Sequence, residues 1–283
     1  MQIIDGKATA KTIKAEIRLE VDSLVSAGQR PPHLAAILVG HDVGSETYVA
    51  YKIKDCEEVG FKSTLVRFED DVQEEVLLDK IKELNNDDEL DGFIVQLPLP
   101  DHINEQKVIE NINPTKDVDG FHPVNVGRLW RGEEGLFPCT PSGIIGLLHH
   151  HDITLEGKNA IIIGRSNIVG KPMAALLLRE NCTVTVAHSR TENLRAKCLD
   201  ADLLVAAVGK PRMITSGWVR KGAVIIDVGM NRDNNGDLCG DVDYNDVFSV
   251  CSAITPVPGG VGPLTIAFLL ENTLTARTSF FSE

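Results

Sequence analysis

Residues 160–172 read Ala160-Ile-Ile-Ile-Gly164-Arg-Ser-Asn-Ile-Val-Gly170-Lys-Pro172. The short apolar run ending in glycine reads as a strand buried on both faces of a parallel sheet. A helix is predicted to begin near Val169. Strand, glycine turn and helix N-terminus then aim backbone N–H groups and a positive dipole end at one spot, where a pyrophosphate can sit. Ser166 stands where the G-x-G-x-x-G fingerprint has its central glycine, so the turn alone also fits an ordinary tight connection. The next predicted strand, Thr183–Ala187, runs into His188-Ser189-Arg190. A NAD site usually carries an acid there, about 20 residues past the glycine turn, to hold the ribose 2′-hydroxyl. Ser189 and Arg190, with Arg165 from the first turn, offer hydroxyl and positive charge suited to a 2′-phosphate, which favours NADP over solvated loop charge.

The alternation of strands and helices continues both ways. Downstream, a helix is predicted over about Asn193–Ala201 and strands at Leu203–Val208 and Ala223–Val228. The turns Ala207-Val208-Gly209-Lys210-Pro211 and Asp227-Val228-Gly229 end these strands and belong to the same carboxyl-edge crevice. Upstream, Ile13, Ile17, Val21, Leu24 and Val25 recur at helical spacing over Ala8–Ala27, closed by Gly28. Then come a buried strand Leu34–Val39, a helix Ser45–Val59, a strand Ser63–Phe68, a helix through Val76, Leu77, Ile81 and Leu84, and a strand Gly92–Leu97 stopped by Pro98. Asn113–Pro141 lacks periodicity and is rich in Pro, Gly, Asp and Asn, so it reads as an irregular functional loop. Ser142–His151 reads as helix, as does Leu264–Leu274 after Pro263. The fold class is therefore α/β: two α/β domains flanking a cleft, the second a Rossmann-like dinucleotide-binding domain with a parallel sheet. Residues 1–142 plus 264–283 form the first domain and 143–263 the second.

The 283 residues, 43% hydrophobic and 24% charged, fit two ordinary globular domains. A formal net charge of −13 disfavours nucleic acid or an anionic membrane surface as partner and points to a small-molecule ligand. The six cysteines form no C-x-x-C pair, so buried reduced thiols are expected rather than a disulfide framework, and no metal is expected. His149-His150-His151 reads as a solvated helix end. The mixed charge of the N-terminal segment and the lack of a long apolar run give a cytoplasmic expectation.

Ser45, Tyr48 and Lys52 lie at i, i+3 and i+7 on one predicted helix and share a face, which carries an aromatic ring and an amine. In an arbitrary helix that would be a half-buried tyrosine beside a snorkelling lysine. Three further segments argue for chemistry. Gln96 is polar at the carboxyl end of an apolar strand. Lys116-Asp117-Val118-Asp119-Gly120 brings carboxylates from the irregular loop. Thr255-Pro256-Val257-Pro258-Gly259-Gly260-Val261-Gly262-Pro263 is too rigid and glycine-rich for a spacer and reads as a loop whose backbone approaches a ligand. Asp241 and Asp243, in Gly240-Asp241-Val242-Asp243, border the cofactor crevice without an assigned role.

These segments, with Val95-Gln96-Leu97-Pro98-Leu99-Pro100 and Pro138-Cys139-Thr140-Pro141, resemble in order and across almost the whole chain the bifunctional methylenetetrahydrofolate dehydrogenase/methenyltetrahydrofolate cyclohydrolase family. The resemblance implies a folate bound between the two domains. Tyr48 would stack on it, Lys52 would be the catalytic amine held by Gln96, Asp119 would bind the polar edge of the pterin, and Pro258, Gly259 and Gly260 would line the substrate. Gly164, Arg165, Ser166, Ser189, Arg190 and Gly209 would hold NADP. The implied reactions are oxidation of 5,10-methylenetetrahydrofolate and hydrolysis of the methenyl product to 10-formyltetrahydrofolate, in a homodimer. A dehydrogenase-only member, another two-domain NADP oxidoreductase and a non-catalytic dinucleotide-binding regulator are the alternatives. Lys52 with Gln96 favours the bifunctional reading over the first two, and a regulator needs no Tyr48, Lys52 and Asp119.

Overall fold

The computed structural model of the chain describes residues 1–233 and 235–278. In chain order its elements begin with β1 (Gln2–Ile3), α1 (Gly6–Ser26), β2 (His33–Val39), α2 (Val43–Val59), β3 (Lys62–Phe68), α3 (Glu74–Asn85), β4 (Gly92–Val95), α4 (Glu105–Asn111) and α5 (Pro123–Arg131). They continue with α6 (Cys139–His150), β5 (Asn159–Ile163), α7 (Gly170–Arg179), β6 (Thr183–Ala187), α8 (Leu194–Leu199), β7 (Leu203–Ala206) and β8 (Val224–Asp227). The last are β9 (Asn231–Arg232), β10 (Leu238–Cys239), α9 (Tyr244–Val247), β11 (Ala253–Ile254) and α10 (Val261–Thr278).

The chain divides into two compact units, one of Met1–Lys11 with Thr140–Thr265, the other of Thr12–Cys139 with the described residues from Ile266 onward. The second of these is built on a parallel sheet of order β3-β2-β4. All seven residues of β2 are buried, as a central strand covered on both faces must be. One face packs Leu34, Ala36 and Leu38 with Ile17 and Val21 of α1, Val49 and Val59 of α2, and Leu269, Leu270 and Leu274 of α10. The other packs Ala35, Ile37 and Val39 with Leu77 and Ile81 of α3. Each fully buried Leu, Ile or Val side chain here contributes roughly 1.5 to 3 kcal/mol of burial free energy.

The other unit carries a six-stranded sheet of order β1-β11-β8-β7-β5-β6, parallel throughout, and a two-stranded antiparallel ribbon of β9 and β10. Alternate residues of β5, β7 and β8 (Ile161 and Ile163, Leu204 and Ala206, Ile225) pack against Ile214, Val219, Val242 and Val247.

The segment Asn113–Pro141 is not irregular throughout. Pro123–Arg131 is helical, with the His122 side chain accepting from Val124 N–H, Pro123 opening the helix and Gly132 closing it in the left-handed conformation. Strands β4 and β7 stop two residues before Leu97 and Val208, the ends expected for them. The N-terminal residues also fall differently from the expected boundary. Gln2 and Ile3 pair with Ala253 and Ile254, so residues 1–11 belong with the six-stranded unit.

Candidate active site

In the three-stranded unit, α2 begins where Asp42 accepts from Ser45 N–H at 2.8 Å and ends at the left-handed Gly60. A side-chain cap of this kind stabilises a helix by about 1 kcal/mol. The buried stripe of α2 is Ser45, Val49, Lys52, Cys56 and Val59, so Lys52 occupies a position where helical periodicity asks for an apolar residue. Only 7% of Lys52 is exposed. A buried amine needs a polar partner, and Lys52 Nζ donates to Gln96 Oε1 at 3.1 Å. Gln96 in turn donates through Nε2 to the Leu97 carbonyl at 2.8 Å, which turns its oxygen toward the lysine. Its own N–H continues the ladder onto Ile37 O at 2.9 Å, holding Gln96 at the carboxyl edge of the sheet.

Tyr48 lies one turn before Lys52 and is half-buried, and burial pushes its phenol up from the ordinary value. Asp119 is also half-buried. Burial pushes its carboxyl up, the Lys52 charge opposes that rise, and Asp117 adds to it.

The Lys116–Gly120 segment divides its charges between structure and site. Asp117 is 2% exposed and accepts from the N–H groups of Gly120, Phe121 and His122 and from Asn125 Nδ2 at 2.8 to 3.3 Å. Lys116 Nζ donates to the carbonyls of Leu84 and Asp87. Both side chains are therefore consumed in shaping the loop, whereas Asp119 retains surface. Asn272 of α10 donates to the Val118 and Phe137 carbonyls at 2.8 and 2.9 Å and so pins the same loop from the far end of the chain. Its one sequence signal is a carboxamide within the helix predicted over Leu264–Leu274. Burial pushes Cys56 up to about 12 and raises Cys139 as well, which keeps both as thiols rather than thiolates near neutral pH.

In the six-stranded unit, the turn after β5 needs its glycines for space. A Cβ on Gly164, whose φ is 135°, would lie 2.2 Å from Ala207 O, and one on Gly170 would lie 2.4 Å from Gly164 O. Ser166, in the middle position, closes the turn by accepting from Val169 and Gly170 N–H. The parallel register Ile163 to Ala187 and the bond from Gly164 N–H to Ala187 O at 2.9 Å set this turn beside His188–Arg190. There His188 N–H donates to Thr191 Oγ1 and Arg190 N–H to His188 Nδ1, leaving Ser189 and Arg190 exposed. Arg165 is exposed on the neighbouring turn. A glycine cradle that any Cβ would fill, flanked by two exposed guanidinium groups, fits a dinucleotide with an extra phosphate.

Gly209 lies at the end of β7 with φ 64°, and its N–H is directed inward to Asp241. Pro258 follows a cis peptide bond. Gly259 accepts from Lys7 N–H at 2.9 Å, and a Cβ on Gly6 would strike the Gly260 carbonyl, so one close approach in this loop is to the start of α1. His149 pairs with Glu180 at 2.8 Å, while His151 meets Gln2 and Thr9. A groove of about 340 Å³ lies at the amino ends of β5, β7 and β8, lined by Lys158, Asp202, Arg220 and Lys221, at the opposite sheet edge from these turns. Lys52, Gln96 and Asp119 thus come together in one unit, and the Gly164, Ser189 and Gly209 loops line one sheet edge in the other.

Two family descriptions match the chain. Residues 4–119 match the tetrahydrofolate dehydrogenase/cyclohydrolase catalytic domain, and residues 138–280 match the NAD(P)-binding domain of the same family. The bifunctional protein FolD of Bacteroides thetaiotaomicron is 54% identical over 286 residues, covering 98% of each chain. The crystal structure of a bifunctional methylenetetrahydrofolate dehydrogenase/cyclohydrolase from Campylobacter jejuni superposes with a TM-score of 0.96 at 48% identity, covering 98% of both chains. A Trypanosoma brucei methylenetetrahydrofolate dehydrogenase-cyclohydrolase, solved with NADP cofactor and inhibitor, gives 0.92 at 38% identity over 97% of this chain and 96% of that one.

Proposed function

The chain belongs to the tetrahydrofolate dehydrogenase/cyclohydrolase family, and from that premise we propose which of its residues carry the two reactions. It is a bifunctional enzyme of one-carbon metabolism: it oxidises 5,10-methylenetetrahydrofolate to the methenyl compound with NADP and hydrolyses that compound to 10-formyltetrahydrofolate. Bound here, NADP would supply the acceptor for the hydride. Gly164, Ser166 and Gly209 shape its seat, and Arg165, Ser189 and Arg190 bind its 2′-phosphate.

Lys52 is the amine that moves protons as water adds to the methenyl carbon and the ring nitrogen departs, and Gln96 holds that amine in place. Tyr48 supplies the flat apolar face on which the folate stacks. Asp119 binds the polar edge of the pterin. Pro258, Gly259 and Gly260 offer backbone to the substrate. The observation that carries this assignment is a lysine 7% exposed with its Nζ at 3.1 Å from Gln96 Oε1, because an amine is removed from water at that cost only where it has a task or a strong partner, and here its partner is a neutral amide. A spectrophotometric assay tests it. Purified protein given methylenetetrahydrofolate should reduce NADP and then consume the methenyl absorbance; formation of NADPH with persistent methenyl absorbance would establish a dehydrogenase alone.

The protein works as a homodimer in the cytoplasm and feeds purine biosynthesis. Six unpaired buried thiols suit a reducing compartment. The outermost strand β6 leaves Thr183, Thr185 and Val186 exposed at an open sheet edge, a surface that a second copy would cover. Sedimentation at the mass of one 30.8 kDa chain would exclude the dimer.

A further inference from the structure

Three successive amides after β7, those of Val208, Gly209 and Lys210, converge as strand-end turns do when they hold an anion. The anion they hold is the chain's own. Asp241 is fully buried, and its carboxylate accepts from Val208 N–H at 2.6 Å, Gly209 N–H at 3.1 Å and Lys210 N–H at 2.7 Å. It also accepts from Asn231 Nδ2 at 2.9 Å, beyond the end of β8. Asp241 is itself held by a second buried carboxylate. Asp227 accepts from the N–H groups of Gly229, Asp241 and Val242, each at 2.9 Å. The Asp227 N–H donates to Thr255 Oγ1 at 2.8 Å, at the first residue of the Thr255–Pro263 loop. The two glycines nearby exist for these contacts: a Cβ on Gly240 would lie 1.8 Å from Asp227 Oδ2, and one on Gly229 would lie 2.4 Å from Asp241 N.

We infer that Asp241, braced by Asp227, is a positioning residue for the dinucleotide, which acts by occupying the anion nest of the β7 turn. With its amides taken, that turn presents carbonyl oxygens and Cα surface and is closed to phosphate. It therefore receives the part of the dinucleotide that carries no phosphate, the nicotinamide riboside, whose hydroxyl and carboxamide groups donate hydrogen bonds. The phosphates are left to the β5 turn. One carboxylate fixes the β7 turn and Asn231 together, and through Asp227 the Thr255 loop, so the surfaces that meet this half of the ligand move as one body. The inference rests on the NADP-dependent reading above.

The test separates the two halves of the ligand. Asp241→Asn turns one acceptor oxygen into a donor facing backbone N–H groups, so the turn must rearrange. Binding of NADP and of 2′,5′-ADP, which lacks the nicotinamide half, is measured by calorimetry. The expected result is an NADP dissociation constant raised roughly ten- to a hundredfold, the loss of hydrogen bonds to a charged group. The 2′,5′-ADP constant should stay within about twofold of wild type, since that ligand does not use the β7 turn. Asn231→Ala, which removes one of the four donors, should give the same split at smaller size and serves if Asp241→Asn does not fold. Equal weakening of NADP and 2′,5′-ADP, or NADP binding unchanged in the folded variant, would overturn the inference. A wild-type protein that binds 2′,5′-ADP and NADP at equal strength would also overturn it. One that binds neither would instead be a failure of the NADP reading and would take this inference with it.

Discussion

Lys52→Met separates the two reactions, because hydrolysis needs a group that gives and takes protons whereas hydride transfer needs alignment of the methylene bridge with its acceptor. Methionine keeps a chain of similar length in the buried stripe beside Val49 and Cys56, so the packing survives. The loss is the amine and its bond to Gln96 Oε1. A positioned proton-transfer group contributes roughly 10²- to 10⁴-fold, so hydrolysis should fall by that factor. Dehydrogenation loses a positioning contact and should fall by no more than about tenfold, the worth of one ordinary hydrogen bond. The ratio of the two activities should therefore shift by at least about tenfold. A second signature follows from Asp119. Burial raises its carboxyl and the Lys52 charge opposes that rise, so removing the charge leaves Asp119 protonated to higher pH. The acid limb of the dehydrogenase pH profile should move upward in the variant. NADPH formation and methenyl hydrolysis are measured separately on protein whose melting temperature lies within a few degrees of wild type. Equal falls in both activities, with an unmoved acid limb, would reduce Lys52 to a positioning residue. Unchanged hydrolysis would end the proposed mechanism.

Ser189→Asp puts a carboxylate where a 2′-phosphate is to bind, and like-charge repulsion should lower kcat/KM for NADP about a hundredfold while leaving NAD unaffected or improved; a wild type that uses NAD as well as NADP refutes the pocket. Asp227 is pushed up to about 6 by burial, against an unfolded value near 4, so the folded state holds its proton more tightly and stability falls as pH rises between those values. Over about two pH units that amounts to roughly 3 kcal/mol at most. Urea unfolding of wild type and Asp227→Asn from pH 3.5 to 7 should show the stability difference changing across that window and flat above it, and parallel curves would contradict the assignment.

Periodicity made most of the fold legible because the central strands are largely apolar and α1 and α2 are each followed by a glycine. Two-residue strands carry no period, which is why β1 and β11 went unseen and residues 1–11 were expected with the wrong unit. Helix α5 was hidden by the Pro and Gly of its own segment, although Pro123 and Gly132 stand where a helix start and stop put them. Tyr48 and Lys52 were legible because they share one helix face, and Gln96 because it is a polar residue ending an apolar strand. The division between Asp117, spent on the loop, and Asp119, kept for the site, was not, since two carboxylates two residues apart look alike until backbone donors choose between them. Asp241 and Asp243 look alike in the sequence for the same reason, and only the backbone donors of the β7 turn single out Asp241.

Both units are closed by residues that lie far along the chain. The edge strand of the six-stranded sheet, made of Gln2 and Ile3, has as its sheet neighbour a strand at residues 253 and 254. The core around β2 takes Leu269, Leu270 and Leu274. During synthesis, therefore, neither unit can be completed when its first half leaves the ribosome, and the usual order in which an N-terminal domain folds before its successor is translated is denied to this chain. Exposed apolar faces of β2 and α1 must wait for the last helix, so nascent chains stalled before about residue 260 should bind holdase chaperones, and C-terminal truncations reaching Leu269 should fail to fold in both cell and tube.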